Sequence, residues 1–574
     1  MSTQKKNIKE AKNISGSEAV MMSLLNEGVD QIFGYPGGAI MPIYDAQMDY
    51  QDTLKHILTR HEQGAIHAAQ GYARVSGKTG VVFATSGPGA TNLITGLADA
   101  MIDSTPLVCI TGQVISGLIG SDAFQETDVV GISMPVTKWN IQVTKAEEIP
   151  DVLAMAFYIA KSGRPGPVLI DITKDAQFAK FDFKYEKCTK IGSYIPYPFV
   201  DDSKIEQAAE IINNAKKPYV LFGQGVVIAN AEKELIEFIE KGDIPAAWTI
   251  LGLSAVPSDH PLNVGMLGMH GNYGPNIKNN ECDVLIAIGM RFDDRVTGVL
   301  SKFAKQAKVI HMDIDPAEID KNVKTEVAII GNVKESLPLL TKKINKNNHE
   351  SWIKEFNDAA KIEYDKVIKD ACHPESGKLL MGEVIYKVSE ASKHEAIMVT
   401  DVGQQQMFAT RYFKFKHTRS VVTSGGLGTM GFGLPAAIGA KVGAPHREVI
   451  LFVGDGGFQM TIQELGTILQ SDIKVKIVLL NNSFLGMVRQ WQELFHNKRY
   501  ASTTMANPDF ITIAKGYGVK ARKVTERATL DDAIKEMIEY DGAYLLETVI
   551  EKESNVFPMV PAGASVSDIL LGKE

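Results

Sequence analysis

The sequence predicts an α/β fold of three doubly wound domains, each with a parallel sheet. Three observations support this. Short apolar β runs alternate with amphipathic helical segments along most of the 574 residues, as in parallel sheets covered by helices. At about 150 residues per domain, the length allows three or four domains. Two linkers interrupt the alternation. Residues 178–198 have poor periodicity, and residues 341–377 are a charged, helix-prone stretch that should contain a bridging helix. We therefore place the domains at residues 1–185, 198–345 and 376–574.

The composition limits the classes of partner. A net charge of −8 disfavours binding to nucleic acid or to an anionic membrane surface, because such partners attract clustered Lys and Arg. No apolar run is long enough to span a bilayer, and the amino terminus has no apolar signal core. Four scattered cysteines favour reduced thiols over a zinc site or disulfides. We expect a cytoplasmic protein.

The first domain opens with a helix capped at Ser15, a strand at residues 31–33 and a glycine turn at Gly37-Gly38. The strand HILTR follows, and then a helix that carries Glu62 in its first turn. A glutamate at this position usually only favours the helix dipole. Its role therefore depends on the residues around it.

Three glycine patterns imitate nucleotide-binding motifs without meeting their requirements. The segment from Gly71 to Thr79 has one residue too many for a P-loop and ends a helix instead of starting one. Gly223-Gln224-Gly225 is followed by Ile228 where a dinucleotide fingerprint needs glycine. No strand directly precedes the stretch from Gly431 to Ala436. These patterns do not predict nucleotide hydrolysis or NAD binding.

The third domain contains a predicted strand, helix and strand between Leu451 and Asn482. Residues 449–453 and 475–480 are apolar β runs. Phe458, Ile462, Leu465 and Leu469 lie between them at helical spacing. A right-handed crossover makes the two strands parallel, so Asp455 and Asn482 should meet at one edge of the sheet.

Asp455 and Asn482 offer hard oxygen atoms with no Cys or His nearby, which suits Mg²⁺ or Ca²⁺ better than zinc. The turn has no Lys or Arg, so a bound phosphate would need the metal to neutralise it. Gly-Asp-Gly alone is more often a structural turn. Only its pairing with Asn482 favours a metal site.

Gly454-Asp455-Gly456 followed by Asn481-Asn482 resembles the diphosphate-binding signature of thiamine diphosphate enzymes. Within that class, motifs across nearly the whole chain resemble the acetohydroxyacid synthases, also called acetolactate synthases. They include GYPGGAIMPIYD, RHEQGAIHAAQGYAR, SGPGATNL, DAFQETDVVGI, TKWN, RPGPVLIDITKD, VGMLGMHG, DVLIAIGMRFDDRVTG, VIHMDIDPAEI, FLGMVRQWQELF and NPDF. The resemblance implies a pyrimidine-binding, a central FAD-binding and a diphosphate-binding domain.

The resemblance also implies roles for single residues. The side chains of Asp455 and Asn482 and the carbonyl of Phe484 would hold Mg²⁺ against the cofactor's diphosphate. Glu62 would hydrogen-bond the aminopyrimidine N1′ from across a subunit boundary. Met430 would lie under the thiazolium ring and bend the cofactor into a V shape.

Further contacts are implied in the same way. Those to thiamine diphosphate are Tyr35, Pro36, Pro88, Asn92, Val402, Gly403, Gln404, Gln406, Gly428, Met430, Gly456, Gly457 and Met487. Those to FAD, in a role without redox chemistry, are Gly223, Gly225, Met269, His270, Arg291, Asp294, Asp313 and Ile314. The catalytic set is completed by Gly38, Gln125 and Lys174, by Arg295 beside the acceptor's carboxylate, and by Trp491 against its alkyl group.

Three positions depart from the family pattern. Gln405 stands where the family has a diphosphate-contacting His, Asn332 replaces an Asp, and Ser254 replaces a Gly. The first change would exchange an imidazole contact for an amide contact. The other two bear on the FAD assignment.

The resemblance implies carboligation, in which pyruvate is decarboxylated and its two-carbon unit joins a second pyruvate or 2-oxobutyrate, in branched-chain amino acid biosynthesis. It also implies a homodimer or homotetramer and a separate small regulatory subunit. Two alternatives remain open: an FAD-reducing pyruvate oxidase, and a non-catalytic cofactor-binding subunit. The second would be expected to lack Glu62 or Asp455, and both are present.

Overall fold

A computed structural model describes residues 8–573 of the chain. Each predicted domain range contains one six-stranded sheet, whose neighbouring strands run parallel and which is flanked by helices. The predicted fold class is therefore confirmed. Within the described part of the chain, no helix is long and apolar enough to cross a membrane.

The first domain is built around α3, whose amino-terminal residue is Glu62. The elements are β1 (Glu10–Ser15), α1 (Gly16–Asn26), β2 (Gln31–Gly34), α2 (Met41–Gln47), β3 (Lys55–Leu58), α3 (Glu62–Ser76), β4 (Gly80–Ala84), α4 (Pro88–Thr91), α5 (Ile94–Ile102), β5 (Leu107–Gln113), α6 (Val129–Ser133), β6 (Trp139–Val143), α7 (Ile149–Lys161), β7 (Pro167–Thr173), α8 (Lys174–Phe178) and β8 (Lys180–Lys184). As predicted, Ser15 caps α1, in a capping box with Glu18.

The central domain and the linker after it follow. Their elements are α9 (Asp202–Asn213), β9 (Pro218–Phe222), α10 (Gln224–Ile228), α11 (Glu232–Gly242), β10 (Ala246–Trp248), β11 (Asn263–Met266), α12 (Tyr273–Asn279), β12 (Val284–Ile288), α13 (Asp294–Thr297), β13 (Lys308–Asp313), β14 (Val327–Ile330), α14 (Val333–Lys343), α15 (Glu350–Glu363) and α16 (Lys369–Cys372). A π-helical turn, Tyr364–Ile368, joins the last two helices.

The third domain carries the predicted metal unit on β17 and β18. Its elements are α17 (Met381–Ala391), β15 (Ile397–Thr400), α18 (Gln404–Tyr412), β16 (Val421–Val422), α19 (Gly433–Gly443), β17 (Val449–Gly454), α20 (Asp455–Met460), α21 (Leu465–Ser471), β18 (Lys476–Asn481), α22 (Gly486–Phe495), α23 (Phe510–Gly516), β19 (Lys520–Val524), α24 (Leu530–Glu539) and β20 (Tyr544–Val549).

Strand order relates the domains to one another. The first sheet runs β3-β2-β4-β5-β7-β6 and the third runs β16-β15-β17-β18-β20-β19. When the six strands of each sheet are renumbered from one in chain order, the two strand orders are identical. The central sheet runs β11-β10-β9-β12-β13-β14, the order of dinucleotide-binding folds. The outer domains therefore share one topology, and the central domain has another.

Two sequence predictions were wrong in detail. The first linker contains β8, which pairs antiparallel with β1 over 160 residues away in sequence, a long-range pairing that local periodicity cannot show. The single helix predicted between β17 and β18 is broken at Thr461, whose hydroxyl donates to the carbonyl of Gly431 at 3.0 Å. After the break Leu469 is 57% exposed, so it does not lie on the buried face.

The first and third domains pack closely through α3 and α19. A Cβ atom added to Gly439 would lie 1.7 Å from the carbonyl oxygen of Ala68, and one on Gly71 would lie 2.0 Å from that of Ala436. These glycines let the two helix backbones touch. The outer domains therefore form one closely packed unit within the chain.

Candidate active site

The functional residues predicted in the first domain lie at the carboxyl edge of its sheet. Tyr35, Pro36 and Gly38 follow β2, Glu62 follows β3, Pro88 and Asn92 follow β4, Gln125 follows β5, and Lys174 follows β7. The edge is open to the surface, since Tyr35 is 40% exposed and Phe124, beside Gln125, is 87% exposed. Five further large apolar side chains between residues 115 and 134 are at least 40% exposed, namely Ile115, Leu118, Ile119, Ile132 and Met134. A surface rich in exposed apolar side chains is typical of one that another protein covers.

Glu62 occupies the first position of α3 after the N-cap residue His61. It is buried, and one oxygen of its carboxylate accepts a 2.9 Å hydrogen bond from the amide of Asn92. The structure thus brings together two of the predicted residues. Gln125 has a positive φ of 59°, a left-handed conformation that is uncommon in non-glycine residues.

The two glycines of the turn after β2 have different surroundings. A Cβ added to Gly37 would lie 2.5 Å from Thr85, whereas one added to Gly38 would meet open space. Gly37 is therefore the glycine required by packing. Gly38 faces free volume at the edge of the sheet, where a ligand can approach its backbone.

In the third domain, Asp455 and Asn482 lie together as the sequence predicts. Neighbouring parallel strands β17 and β18 end just before them. The side chains are buried, at 1% and 5% exposure. The amide oxygen of Asn482 accepts a 3.1 Å hydrogen bond from the backbone N–H of Phe484, so the three predicted magnesium ligands are adjacent.

Asn507 belongs to this site and was not singled out from the sequence. Its amide nitrogen donates to Asp455 at 2.7 Å and to Asn481 at 3.0 Å. It lies in the NPDF motif, which was the only signal that could have pointed to it. Asn507 holds one carboxylate oxygen of Asp455 in place.

The electrostatics of this site suit a cation. Burial raises the pKa of Asp455, while hydrogen bonds from Asn507 and from backbone N–H groups partly oppose that rise. These partners are dipoles and not positive charges, so an ionised Asp455 would gain from a bound metal. Among residues 8–573 no group of three or more His, Cys, Asp or Glu forms a metal site. One carboxylate and one amide, completed by phosphate and water, fit magnesium.

Three glutamines follow Gly403 at the start of α18, and each has a different contact. The side-chain oxygen of Gln405 would lie 2.7 Å from a Cβ on Gly403 and 3.2 Å from one on Gly454, so this side chain sits between the ends of β15 and β17. That position agrees with an amide contact to diphosphate. Gln406 donates to Thr423 at 2.7 Å, and Gln404 donates to Gln490 at 2.9 Å.

A cleft of about 800 Å³ lies where the three domains meet. Its walls come mostly from the central and third domains, and the first domain contributes Ile102, Ser104, Lys161, Gly163, Arg164 and Pro165. It joins most of the predicted flavin residues to most of the predicted thiamine residues of the third domain. The predicted residues that line it are Gly225, Met269, His270, Arg291, Asp294, Arg295, Asp313, Ile314, Val402, Gly403, Gln406, Gly428, Met430, Met487 and Trp491. The structure therefore brings two predicted cofactor sites and two predicted acceptor residues to one cavity.

The remaining predicted residues of these domains lie beside the cleft. Gly223 packs under it, because a Cβ there would lie 2.5 Å from the carbonyl oxygen of Gly289. Gly456 and Gly457 are buried in the first turn of α20. Gln404 is also buried, with its amide turned to Gln490.

The two departures in the central domain have structural explanations. Ser254 adopts a φ of 74°, the left-handed region that explains a glycine in the family pattern and costs serine about 1 kcal/mol. Asn332 caps α14 by accepting a 3.0 Å hydrogen bond from the backbone N–H of Lys334, which an aspartate would do equally well.

The cleft wall in the central domain presents polar groups that suit a ligand. Burial raises the pKa of Asp313 to about 6. The Nδ1 atom of His270 is buried and has no hydrogen-bond partner among the described residues. Such an orphaned atom is costly unless a ligand or water satisfies it. Together with the dinucleotide-type strand order, these groups fit FAD.

Arg295 of the central domain and Trp491 of the third domain both line the cleft. The guanidinium of Arg295 is 67% exposed and lies 3.5 Å from Asp294, so it is free to bind an incoming carboxylate. Trp491 lies one turn beyond Met487 on α22, as predicted, and its ring centre is 4.9 Å from that of Phe495. Arg489, Gln490 and Glu493 form the buried side of this helix.

The loop that carries Met430 is anchored by Asp401, a second residue that the sequence analysis missed. One oxygen of Asp401 accepts from the backbone N–H of Gly431 at 3.1 Å, and the other from that of Gly433 at 2.8 Å. Burial raises the pKa of Asp401 to about 6. These bonds fix the turn between Met430 and α19.

None of the predicted residues of the first domain lines the 800 Å³ cleft within the described part of the chain. Glu62 and its neighbours lie at the carboxyl edge of a different sheet. The predicted site is therefore present as two halves, one at each outer domain. Either half alone lacks groups that the other supplies.

Comparison with known proteins agrees with this arrangement. The N-terminal TPP binding domain of thiamine pyrophosphate enzymes matches residues 14–132, the central domain matches 205–340, and the C-terminal TPP binding domain matches 401–548. Over 559 residues, 97% of this chain and 99% of the other protein, the chain is 46% identical to the acetolactate synthase isozyme 2 large subunit of Escherichia coli (strain K12). It is 44% identical to the acetolactate synthase large subunit of Lactococcus lactis over 99% of this chain and 98% of that protein.

Proposed function

Since this chain belongs to the thiamine pyrophosphate enzymes and, within them, to the family of acetolactate synthase large subunits, we propose that it is an acetolactate synthase. It decarboxylates pyruvate and transfers the two-carbon unit to a second pyruvate or to 2-oxobutyrate, in the biosynthesis of valine, leucine and isoleucine. The relatives are named as synthases, which does not favour the pyruvate oxidase alternative.

One observation carries this proposal. The 800 Å³ cleft places Met430 and Val402, on the thiamine side, in the same cavity as Arg295 and Trp491. A carboligase needs a carboxylate-binding group and an apolar wall next to the reacting carbon, so that a second 2-oxoacid can be held there. The central and third domains together supply both.

The cofactors are assigned by fit. Asp455, Asn482 and the carbonyl of Phe484 would hold Mg²⁺ against the diphosphate, and the central-domain wall of the cleft would hold FAD in a role without redox chemistry. When bound, thiamine diphosphate supplies the nucleophilic carbon and the electron sink for decarboxylation. The protein residues orient it and control its protons.

Glu62 holds or moves the proton at N1′ of the aminopyrimidine. Its carboxylate is buried, and Asn92 orients one of its oxygens. A buried acid aimed at a ring nitrogen can share a proton with it at little cost in reorganisation. Arg295 orients the acceptor through its carboxylate, and Trp491 excludes water from the alkyl side.

The two half-sites require a second copy of the chain. The first-domain edge, with Glu62 and the exposed Phe124, is proposed to face the third-domain edge of a partner subunit in a homodimer or homotetramer. The relatives are named large subunits, which supports a separate small regulatory subunit. Four unpaired cysteines support a cytoplasmic location.

The decisive experiment is product analysis. The pure protein is incubated with pyruvate, thiamine diphosphate, Mg²⁺ and FAD, and acetolactate is quantified with and without 2-oxobutyrate. We expect acetolactate, and acetohydroxybutyrate in addition when 2-oxobutyrate is present. Bleaching of FAD by pyruvate at the rate of turnover, with acetate or acetyl phosphate as product, would instead establish an oxidase.

A further inference from the structure

The loop of residues 423–430 connects β16 to α19 and supplies much of the cleft wall in the third domain. Gly425, Gly426, Leu427, Gly428 and Met430 all line the cavity. The loop has little regular structure of its own. Its shape must therefore be fixed by contacts from elsewhere.

Two buried aspartates of the first domain make these contacts. Asp99, near the end of α5, accepts hydrogen bonds from the hydroxyls of Ser424 at 2.6 Å and Thr429 at 2.5 Å through the same carboxylate oxygen. Asp103, directly after α5, accepts from the backbone N–H groups of Gly426 at 2.7 Å and Gly425 at 2.8 Å. Four donors of one loop thus end on two side chains that are more than 300 residues away in sequence.

Arg74 balances the charge of this cluster. Its guanidinium lies 2.9 Å from Asp103 and 3.9 Å from Asp99, and it donates to the carbonyl of Thr423 at 2.6 Å. The side chains of both aspartates are fully buried, and that of Arg74 is 6% exposed. Arg74 supplies one positive charge for two buried carboxylates. The hydrogen-bond donors of the loop therefore provide the rest of the compensation for the buried negative charge.

We propose that Asp99 and Asp103 are positioning residues, which hold the loop of residues 423–430 so that Gly428 and Met430 meet the cofactor and the acceptor. This inference rests on the proposed function for the role of the loop, while the clamp itself is a property of the free protein.

The clamp also joins the two half-sites of one chain. Asn92, which orients Glu62, directly precedes the helical segment that leads through α5 to Asp99 and Asp103. The segment of residues 92–103 therefore contacts Glu62, which is proposed to serve a partner's site, and also contacts the loop of residues 423–430, which belongs to the chain's own site. A shift of α5 would change both.

The test compares Asp103→Asn and Asp99→Asn with the control Glu383→Gln. Glu383 is also a buried carboxylate in an ion pair, 2.7 Å from Arg527, but it caps α17 outside the cleft. Hydrogen exchange of residues 423–430 is measured in the cofactor-free protein. Affinity for thiamine diphosphate with Mg²⁺ and the KM for pyruvate are measured in the loaded protein.

We expect amide exchange in the loop to rise about tenfold or more in both aspartate variants. Asp103→Asn replaces one of two accepting oxygens by an NH2 donor, and Asp99→Asn removes the negative charge that strengthens the hydrogen bonds from Ser424 and Thr429. Cofactor affinity and kcat/KM should fall about tenfold, while the control loses thermal stability with no change in the loop. Should an aspartate variant fail to fold, Ser424→Ala combined with Thr429→Val removes two donors from the loop side and is judged by the same measurements.

Unchanged loop exchange in the folded variants would overturn the inference, and so would loop exchange that rises equally in Glu383→Gln. Both results concern the protein without cofactor, so they leave the proposed function untouched. A wild-type protein that makes no acetolactate would refute the function, while faster loop exchange in the variants would still support the clamp.

Discussion

The first and third domains have the same strand order but opposite kinds of ligand edge. The first-domain edge is open, with Tyr35 40% and Phe124 87% exposed. The third-domain edge is closed around Asp455 and Asn482, at 1% and 5% exposure. One edge carries the buried acid Glu62, and the other carries the oxygen groups of Asp455 and Asn482, which fit a metal. Topology therefore fixes where a ligand binds, and the loops decide what chemistry it meets.

The openness of the first edge indicates that it works against another surface. A closed edge can surround its ligand alone, whereas an open edge rich in exposed apolar side chains is typical of an interaction surface. The comparison predicts that damage to each edge should have a distinct effect. Loss of the first edge should stop chemistry, and loss of the third edge should stop cofactor binding.

The largest expected effect is that of Glu62→Gln. The amide still accepts the hydrogen bond from Asn92 but cannot exchange a proton, so turnover should fall about 10²- to 10⁴-fold while the fold survives. Exchange of the C2 proton of bound thiamine diphosphate, followed by NMR, measures the step directly. Glu147→Gln, an exposed glutamate of the same domain, is the control. Exchange at the wild-type rate in Glu62→Gln would refute the role.

Next in size is Asp455→Ala. Removal of one of two side-chain ligands leaves the diphosphate charge poorly compensated, so the affinities for Mg²⁺ and for thiamine diphosphate should fall together, by about 100-fold. Calorimetric titration at several Mg²⁺ concentrations measures both, and excess Mg²⁺ should partly restore binding. Asp532→Ala removes an exposed acid from α24 and should bind as the wild type does. If thiamine diphosphate binding to the wild type does not depend on the Mg²⁺ concentration, the assignment of Asp455 as a metal ligand is contradicted.

A smaller effect concerns a contact between the first and third domains within one chain. Glu464 follows the helix break at Thr461 and accepts from the backbone N–H of Arg60 at 3.1 Å, two residues before Glu62. Burial raises the pKa of Glu464 to about 7. Its protonated form is therefore favoured by folding, and the stability it contributes is present below about pH 4.5 and lost as the pH rises through about 7.

Thermal unfolding of the wild type and of Glu464→Gln at pH 5 and pH 8 tests this. The variant cannot ionise, so relative to it the wild type should lose about 1 to 3 kcal/mol of stability between these pH values. Asp472→Asn, a variant of a less buried acid in the same region, should show the wild-type pH dependence. A constant difference between wild type and Glu464→Gln across the range would disprove the raised pKa.

The smallest expected effect is that of Trp491→Leu. 2-Oxobutyrate exceeds pyruvate by one methylene, so loss of part of the apolar wall should lower acetohydroxybutyrate relative to acetolactate about three- to tenfold, with pyruvate consumption largely kept. Competition between the two oxoacids, with both products quantified, measures the ratio. Arg295→Lys should lower both products instead, because bidentate carboxylate binding is lost. An unaltered ratio in Trp491→Leu would remove Trp491 from the acceptor pocket.

The sequence predicts best what depends on neighbouring strands. Asp455 and Asn482 were placed together because parallel strands end at one edge, and Glu62 was placed at a helix start by its local pattern. Asn507 escaped, because it reaches Asp455 from a loop 52 residues away. The break at Thr461 escaped too, since it depends on a hydrogen bond to Gly431 in another segment. Contacts between a loop and residues distant in sequence do not produce a periodic pattern of apolar residues, so the sequence does not reveal them.

The backbone contact between α3 and α19 has a consequence for the covalent chain. Gly71 and Gly439 bring the outer domains together although the central domain separates them in sequence. The connecting segment near Phe199, 98% exposed, is open to proteases. A single cut there would leave two fragments that remain associated, so the protein should tolerate expression as a split pair whose halves find each other without a linker.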